Sequence, residues 1–235
     1  MNTILQYLVD PIRDFIFPSV CFTCDRHLPE HRSRVCSSCW NSFTPVSPIH
    51  PAWIDLKAKF DSKNTVKDFL SCYLFQKEGK LQEVIHLLKY QGMKSLGVRL
   101  GEDIGKKIIL NKSFANADYL IPVPLHNLKQ RERGYNQSEF ICKGISNITN
   151  MGINTSLIVR KKYTHSQTHL NLTERKENVG DAFEVRTKQN AEVSGKAFIL
   201  VDDVITTGST IIACAQELLK SGAGSVLAVS AAVDE

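Results

Sequence analysis

Apolar positions recur along this chain with two different periods. Leu81, Val84, Ile85 and Leu88 share one helical face and predict a helix over 79–90, with Gly92 as its stop. Further helices are predicted from about Ser95 to Leu110, over 137–148, and from Ser209 to Lys220. Short apolar runs between them predict strands at Leu70–Phe75, Tyr119–Val123, Leu157–Val159, Phe198–Val201 and Val226–Ala232. Strands alternating with helices predict a parallel sheet covered on both faces. Residues 160–181 are polar and lack periodicity. A stretch of that length in a compact domain is usually a functional lid or a disordered segment. At the other end of the chain, Leu5, Leu8, Val9, Ile12, Phe15 and Ile16 predict an amphipathic helix over 3–16, with Pro11 near its middle. Such a helix packs on its own domain or docks a partner.

Composition changes this picture little. Apolar residues make up 43% and charged residues 23% of the 235, enough for a real core. The net charge of +5 suits anionic partners without choosing among phosphates, nucleotides and nucleic acid. No stretch approaches the ~20 apolar residues of a membrane span. The N-terminus lacks a basic start, and Asp10, Arg13 and Asp14 interrupt its apolar run, so no signal peptide is expected. The expected location is the cytoplasm, where paired cysteines are metal ligands rather than disulfides.

The pattern Cys21-x2-Cys24-x11-Cys36-x2-Cys39 provides two such pairs. Two CxxC knuckles can close a tetrahedral all-sulfur site, and thiolates suit structural zinc. A closed four-thiolate site has no open position, so its role is to replace a core that a module this small cannot build. His27 and His31 are expected at the surface, and Cys72, Cys142 and Cys214 as buried free thiols. Pro45, Pro48 and Pro51 read as a linker. The chain then divides into an N-terminal helix and zinc module over 1–55 and an α/β domain over 56–235.

The segment from Phe198 to Thr210, FILVDDVITTGST, carries the most specific chemistry. A buried-type strand ends in Asp202 and Asp203, followed by Thr206, Thr207, Gly208, Ser209 and Thr210 at the start of a helix. Ligands of open α/β sheets bind beyond the carboxyl ends of strands, and a helix N-terminus offers unpaired N–H groups to a phosphate. Gly208 permits close backbone approach, and the hydroxyls add donors. The carboxylates suit vicinal ribose hydroxyls and a developing positive charge at the anomeric carbon. A generic strand–turn–helix with capping side chains explains only part of this pattern.

VDDVITTGST is similar to the phosphoribosyl-diphosphate (PRPP) signature of type I phosphoribosyltransferases. Three further segments, Leu88-Lys89-Tyr90-x-Gly92, Pro122-Val123-Pro124-Leu125-His126 and Arg131-x-Arg133-Gly134-Tyr135-Asn136-Gln137, resemble the ComF family of competence-associated proteins. So does Thr164-x2-Gln167-x2-Leu170-x4-Arg175-x2-Asn178 with Phe183, and so does the cysteine module in front. The resemblance implies a type I phosphoribosyltransferase-like parallel sheet flanked by helices, preceded by a four-cysteine zinc module. It implies that Asp202 and Asp203 contact ribose, that Thr206–Thr210 hold the 5′-phosphate, and that the Pro122–His126 turn, with Pro124, Leu125 and His126, holds diphosphate. Residues 160–178 would close over the site, and Mg²⁺ would bridge diphosphate and ribose oxygens.

Arg131 and Arg133, together with Arg160, Lys161 and Arg175 of the basic stretch, are the candidate phosphate contacts. Solvated surface is the plainer reading of any one of them. Three functions follow. One is transfer of ribose 5-phosphate from PRPP to an unknown nitrogen acceptor. The second is non-catalytic handling of single-stranded DNA in uptake, beside a helicase-like partner that only the resemblance suggests. The third is nucleotide salvage.

Overall fold

The structure, a computed structural model, describes residues 20–28, 34–160, 182–186 and 192–235. The expected helix over 3–16, His31 and the stretch from Lys161 to residue 181 lie outside these residues.

Five strands form one parallel sheet in the order β1-β7-β6-β2-β3. They are β1 (Phe69–Phe75), β2 (Tyr119–Pro122), β3 (Gly152–Ile153), β6 (Ala197–Ile205) and β7 (Ser225–Asp234). The central pair aligns Phe198 with Val226 and Val201 with Val229. On its other edge β6 aligns Phe198 with Tyr119 and Val201 with Pro122. Alternation along β6 divides the core in two. Ile199 and Val201 join the cluster with α4 (Lys94–Ile109) and α6 (Gln137–Thr149). Phe198 and Leu200 join the cluster with α2 (Pro51–Lys63) and α7 (Ser209–Lys220). Burial on both faces explains why the strand reads as a continuous apolar run.

Three expectations needed correction. The run at Leu157–Val159 does form a strand, β4 (Ile158–Arg160), but outside the main sheet, in an antiparallel pair with β5 (Phe183–Val185). β6 continues past Val201 to Ile205, so both acids lie within the strand. The proline-punctuated stretch is not all linker. Pro51 is the first residue of α2, where a missing N–H costs nothing, and His50 Nδ1 caps it by accepting from Ala52 N at 3.3 Å. The expected boundary near residue 55 falls inside this helix, whose Leu56 and Phe60 are buried against the sheet. Just before it, Val46 N donates to Cys72 O and Leu74 N donates to Thr44 O, covering the edge of β1.

The crossing of α4 and α6 is the tightest contact in the fold. A methyl on Gly101 would overlap the Ile141 carbonyl oxygen, and one on Gly144 would overlap the Val98 carbonyl oxygen. The two backbones touch because neither residue has a side chain. This contact holds the start of α6 beside the carboxyl end of β6.

Candidate functional site

β2 and β6 are neighbours, but the chain leaves them in opposite directions, to β3 and to β7. Right-handed crossovers then place α6 and α7 on opposite faces, and a crevice opens between the carboxyl ends of the two strands. The acidic pair lies there. Asp202 Oδ1 accepts from Asp203 N at 2.8 Å and from Ser138 Oγ, on α6, at 3.4 Å. Asp203 is only 4% exposed, and its Oδ1 accepts from Val204 N at 2.8 Å. Its Oδ2 has no hydrogen bond of good angle, but the Lys89 ammonium sits 2.6 Å away as an ion pair. Burial, and then the charge of Asp203, push the Asp202 carboxyl up to about 7.

The turn after β6 exposes Thr206, Thr207 and Ser209 at the start of α7. Thr207 Oγ1 and Ser209 Oγ lie 3.0 Å apart. Gly208 has φ +75°, and a Cβ there would meet Phe60 Cε1 at 3.0 Å and Leu56 Cδ2 at 3.2 Å. The glycine is therefore required by its backbone conformation and by the packing of α2 beneath the turn. The turn encloses a hollow of 40 Å³ that Asp202, Gly208 and Thr210 help to line.

The Pro122–His126 turn stands beside it on β2. Val123 N donates to Val201 O at 2.9 Å, and Asn136 Nδ2 donates to Val123 O at 2.9 Å. His126 Nδ1 accepts from Leu128 N at 3.3 Å and caps α5 (Asn127–Arg133), a short helix that the periodicity did not predict. A cleft of 690 Å³ opens between this turn and the β4–β5 pair, with Pro124, Leu125, Asn136 and Arg160 among its walls. Arg160 also lies over the Phe183 ring at 5.3 Å.

Arg131 is exposed on α5. Arg133 is engaged with protein groups: it donates to Gln137 Oε1 at 3.0 Å and to Tyr90 OH at 3.4 Å. Lys161 and Arg175 lie outside the described residues.

Lys89 and Ser138 were missing from the candidate residues read from sequence. Lys89 lies in the Leu88-Lys89-Tyr90-x-Gly92 segment, which was noticed as a motif but not for its charge. The helix α3 (Lys80–Tyr90) carries it to the acids, and Tyr135 OH anchors the end of that helix by donating to Leu88 O. No sequence spacing links position 89 to position 203.

The sulfurs of Cys21, Cys24, Cys36 and Cys39 all lie within 4.8 Å of one another. Cys24 Sγ and Cys36 Sγ are 3.8 Å apart, close to the ~3.8 Å edge of a tetrahedron with Zn–S bonds of about 2.3 Å. The four residues could hold one structural zinc ion. Burial opposes ionisation of Cys21, yet hydrogen bonds from Thr23 and from Cys36 N bring its thiol down to about 6. His27 is exposed and outside the cluster, and Cys72, Cys142 and Cys214 are buried.

The cysteine segment is tied to the sheet by polar contacts. Trp40, in α1 (Ser37–Trp40), donates from Nε1 to Asp103 Oδ2 at 2.7 Å, and Tyr73 OH donates to the same oxygen at 2.8 Å. Burial opposes the Asp103 charge, but these bonds and Lys106 hold its carboxyl below the usual range. Arg99 stacks on the Trp40 ring at 3.9 Å and donates to Val35 O at 2.9 Å.

Strand order and helix placement define a helix-flanked parallel α/β protein with an acidic, hydroxyl-rich turn at its topological switch point, behind a four-cysteine cluster. No family model matches the chain. It is 30% identical over 149 residues to the DNA utilization protein YhgH of Salmonella typhi, across 62% of this chain and 64% of that protein. The match thus spans less than two thirds of that relative. Competence protein F of Haemophilus influenzae is 36% identical over 103 residues, 44% of each chain. Competence protein ComFC of Bacillus subtilis is 24% identical over 212 residues, 86% of this chain and 79% of that one. The chain is thus similar to DNA utilization and competence proteins, and its likeness to ComFC runs along most of both chains. Among solved structures, the glutamine PRPP amidotransferase of B. subtilis is similar over 58% of this chain and 26% of that chain, at 19% identity and a TM-score of 0.40. That score is low, and the fold class rests on the strand order and helix placement.

Proposed function

We propose that the crevice between β2 and β6 binds PRPP and that the protein transfers ribose 5-phosphate from it to a nitrogen acceptor, releasing diphosphate. The observation that carries this reading is the juxtaposition of Asp202 and Asp203 with the hydroxyl turn Thr206–Thr210 at one helix N-terminus. The turn offers amide and hydroxyl donors to the 5′-phosphate. The acids accept from the ribose hydroxyls and stabilise positive charge at the anomeric carbon. The Pro122–His126 turn and Arg160 border the neighbouring cleft, which suits the diphosphate. Mg²⁺, carried in with PRPP, would neutralise charge on the departing diphosphate. Zinc on Cys21, Cys24, Cys36 and Cys39 is structural in this reading.

Calorimetry tests the site. Wild type is expected to bind PRPP in the presence of Mg²⁺. Asp202→Asn with Asp203→Asn is expected to weaken binding at least tenfold. Unchanged affinity in the double variant would overturn the assignment.

The names of the relatives, a DNA utilization protein and two competence proteins, favour a second reading in which the chain handles single-stranded DNA during uptake. Filter binding of a single-stranded oligonucleotide over a salt series is then expected to give an affinity that falls linearly in log–log form. No binding at low salt would remove direct contact with DNA.

A further inference from the structure

Two segments stand out in the sequence that the PRPP reading leaves unused: Leu88-Lys89-Tyr90-x-Gly92 and Arg131-x-Arg133-Gly134-Tyr135-Asn136-Gln137. The fold joins them residue to residue. Tyr135 OH donates to Leu88 O. Arg133 donates to Tyr90 OH at 3.4 Å, with its guanidinium 5.2 Å from the centre of the Tyr90 ring. Asn136, in the same segment, donates to Val123 O in the Pro122–His126 turn. The residues on either side of Lys89 are thus held by the chain that follows that turn.

Lys89 itself meets the acidic pair. Its ammonium lies 2.6 Å from Asp203 Oδ2. Positions 199 and 201 of β6 face the cluster of α4 and α6, and alternation puts Asp203 on the same side. An ammonium has three N–H donors. The ion pair engages one direction, and among the described residues no hydrogen bond engages the others. The Lys89 side chain is 21% exposed and that of Asp203 6%, so the open side of the pair is the lysine.

Electrostatics gives the open donors a use. The PRPP reading brings a diphosphate up to two carboxylates, which repel it. Arg133 is engaged by Gln137 and Tyr90, and Arg160 lies over Phe183 at the wall of the neighbouring cleft. Lys89 carries a positive charge to the acids themselves.

We infer that Lys89 is a diphosphate-binding residue of the crevice, keeping one donor on Asp203 and giving the others to diphosphate oxygens of the ligand. This rests on the PRPP reading above. Asp203 aims the ammonium from one side, and the Tyr135 and Arg133 contacts fix the end of α3 from the other. The two segments acquire one role: they place a cation between the acidic pair and the Pro122–His126 turn.

The probe is inorganic diphosphate, titrated by calorimetry with no Mg²⁺ added. Asp203→Asn keeps Lys89 and removes a repelling charge, so it is expected to bind at least as tightly as wild type. Adding Lys89→Gln to Asp203→Asn is expected to weaken binding about tenfold or more. Lys89→Arg in that background is expected to restore it. The Asn background leaves no buried carboxylate without its partner, so a loss there does not come from a disrupted acidic turn. Equal affinity with and without Lys89→Gln would mean that Lys89 only neutralises Asp203, and would overturn the proposal.

A second measurement uses the unaltered protein. Acetylation of Lys89 by acetic anhydride, followed by mass spectrometry, is expected to slow at least fivefold under saturating diphosphate. Lys57 pairs with Asp61 at the same 2.6 Å and is 27% exposed, and its rate is expected to stay constant. Unprotected Lys89, or no diphosphate binding by wild type, would also overturn the proposal. The two readings fail separately. Diphosphate binding through Lys89 without PRPP binding would sink the PRPP reading alone. PRPP binding that needs the acids, with diphosphate indifferent to Lys89, would sink this one alone.

Discussion

Asp202 and Asp203 are adjacent in the chain but meet different surroundings. Lys89 balances Asp203 at 2.6 Å, whereas Asp202 has only a hydroxyl and a backbone amide. Desolvation and the neighbouring charge raise Asp202 from the ordinary ~3.9 of an aspartate to about 7. Between those values the folded chain keeps a proton that the unfolded chain has lost. The stability tied to Asp202 is therefore fully present below its unfolded value and is lost as pH rises through its folded one. Urea unfolding of wild type and Asp202→Asn over pH 4–8 checks this. Wild type is expected to lose stability relative to the variant as pH rises, and a constant gap would contradict a raised Asp202 carboxyl. At this scale the residue types were legible in the sequence, and their surroundings were not. The Lys89 ammonium that pairs with Asp203 comes from 114 positions earlier in the chain.

The elements were mostly legible because their periods are strong. α7 appears with the bounds read from the sequence, while β6 and β7 extend a few residues beyond theirs. α2 was obscured because Pro51 serves equally as a helix start and as a linker breaker. α5 was obscured because its residues, NLKQRER, bury no apolar face. The glycines of α4 and α6 are the clearest case of an element property that periodicity hides. Gly101→Ala is expected to cost about 3 kcal/mol, because rigid backbone blocks the added methyl. Gly97→Ala is expected to cost about 1 kcal/mol, since its methyl would meet the Phe140 and Leu88 side chains at 3.0–3.1 Å. Urea midpoints of the two variants compare them directly. Equal midpoints would remove the close helix crossing as a determinant of stability.

Over the whole molecule, the cysteine segment and the sheet share one apolar cluster that includes Cys36, Trp40 and Leu100. The Trp40–Asp103–Tyr73 contact and the Arg99 stack reinforce it. If zinc holds the four thiolates together, a strong chelator is expected to release one zinc per chain. It would red-shift Trp40 fluorescence as the ring leaves Arg99 and Asp103, while the far-ultraviolet signal of the sheet persists. Tryptophan emission unchanged after complete zinc release would show that the segment docks without metal. No helix among the described residues is long and apolar enough to cross a membrane.

The sequence by itself determined the local features of this protein: the alternation of strands and helices, the paired cysteines, and the acidic and hydroxyl turn from Asp202 to Thr210. Each depends on neighbours a few positions apart, so periodicity and spacing reveal it. Only the tertiary structure decided that Lys89 faces Asp203, that Ser138 reaches Asp202, and that Phe22 and α3 line one cleft. Those contacts join segments distant in the chain, and they exist because strand order and a glycine-to-glycine helix crossing bring the carboxyl ends of β1, β6 and β2 to one edge.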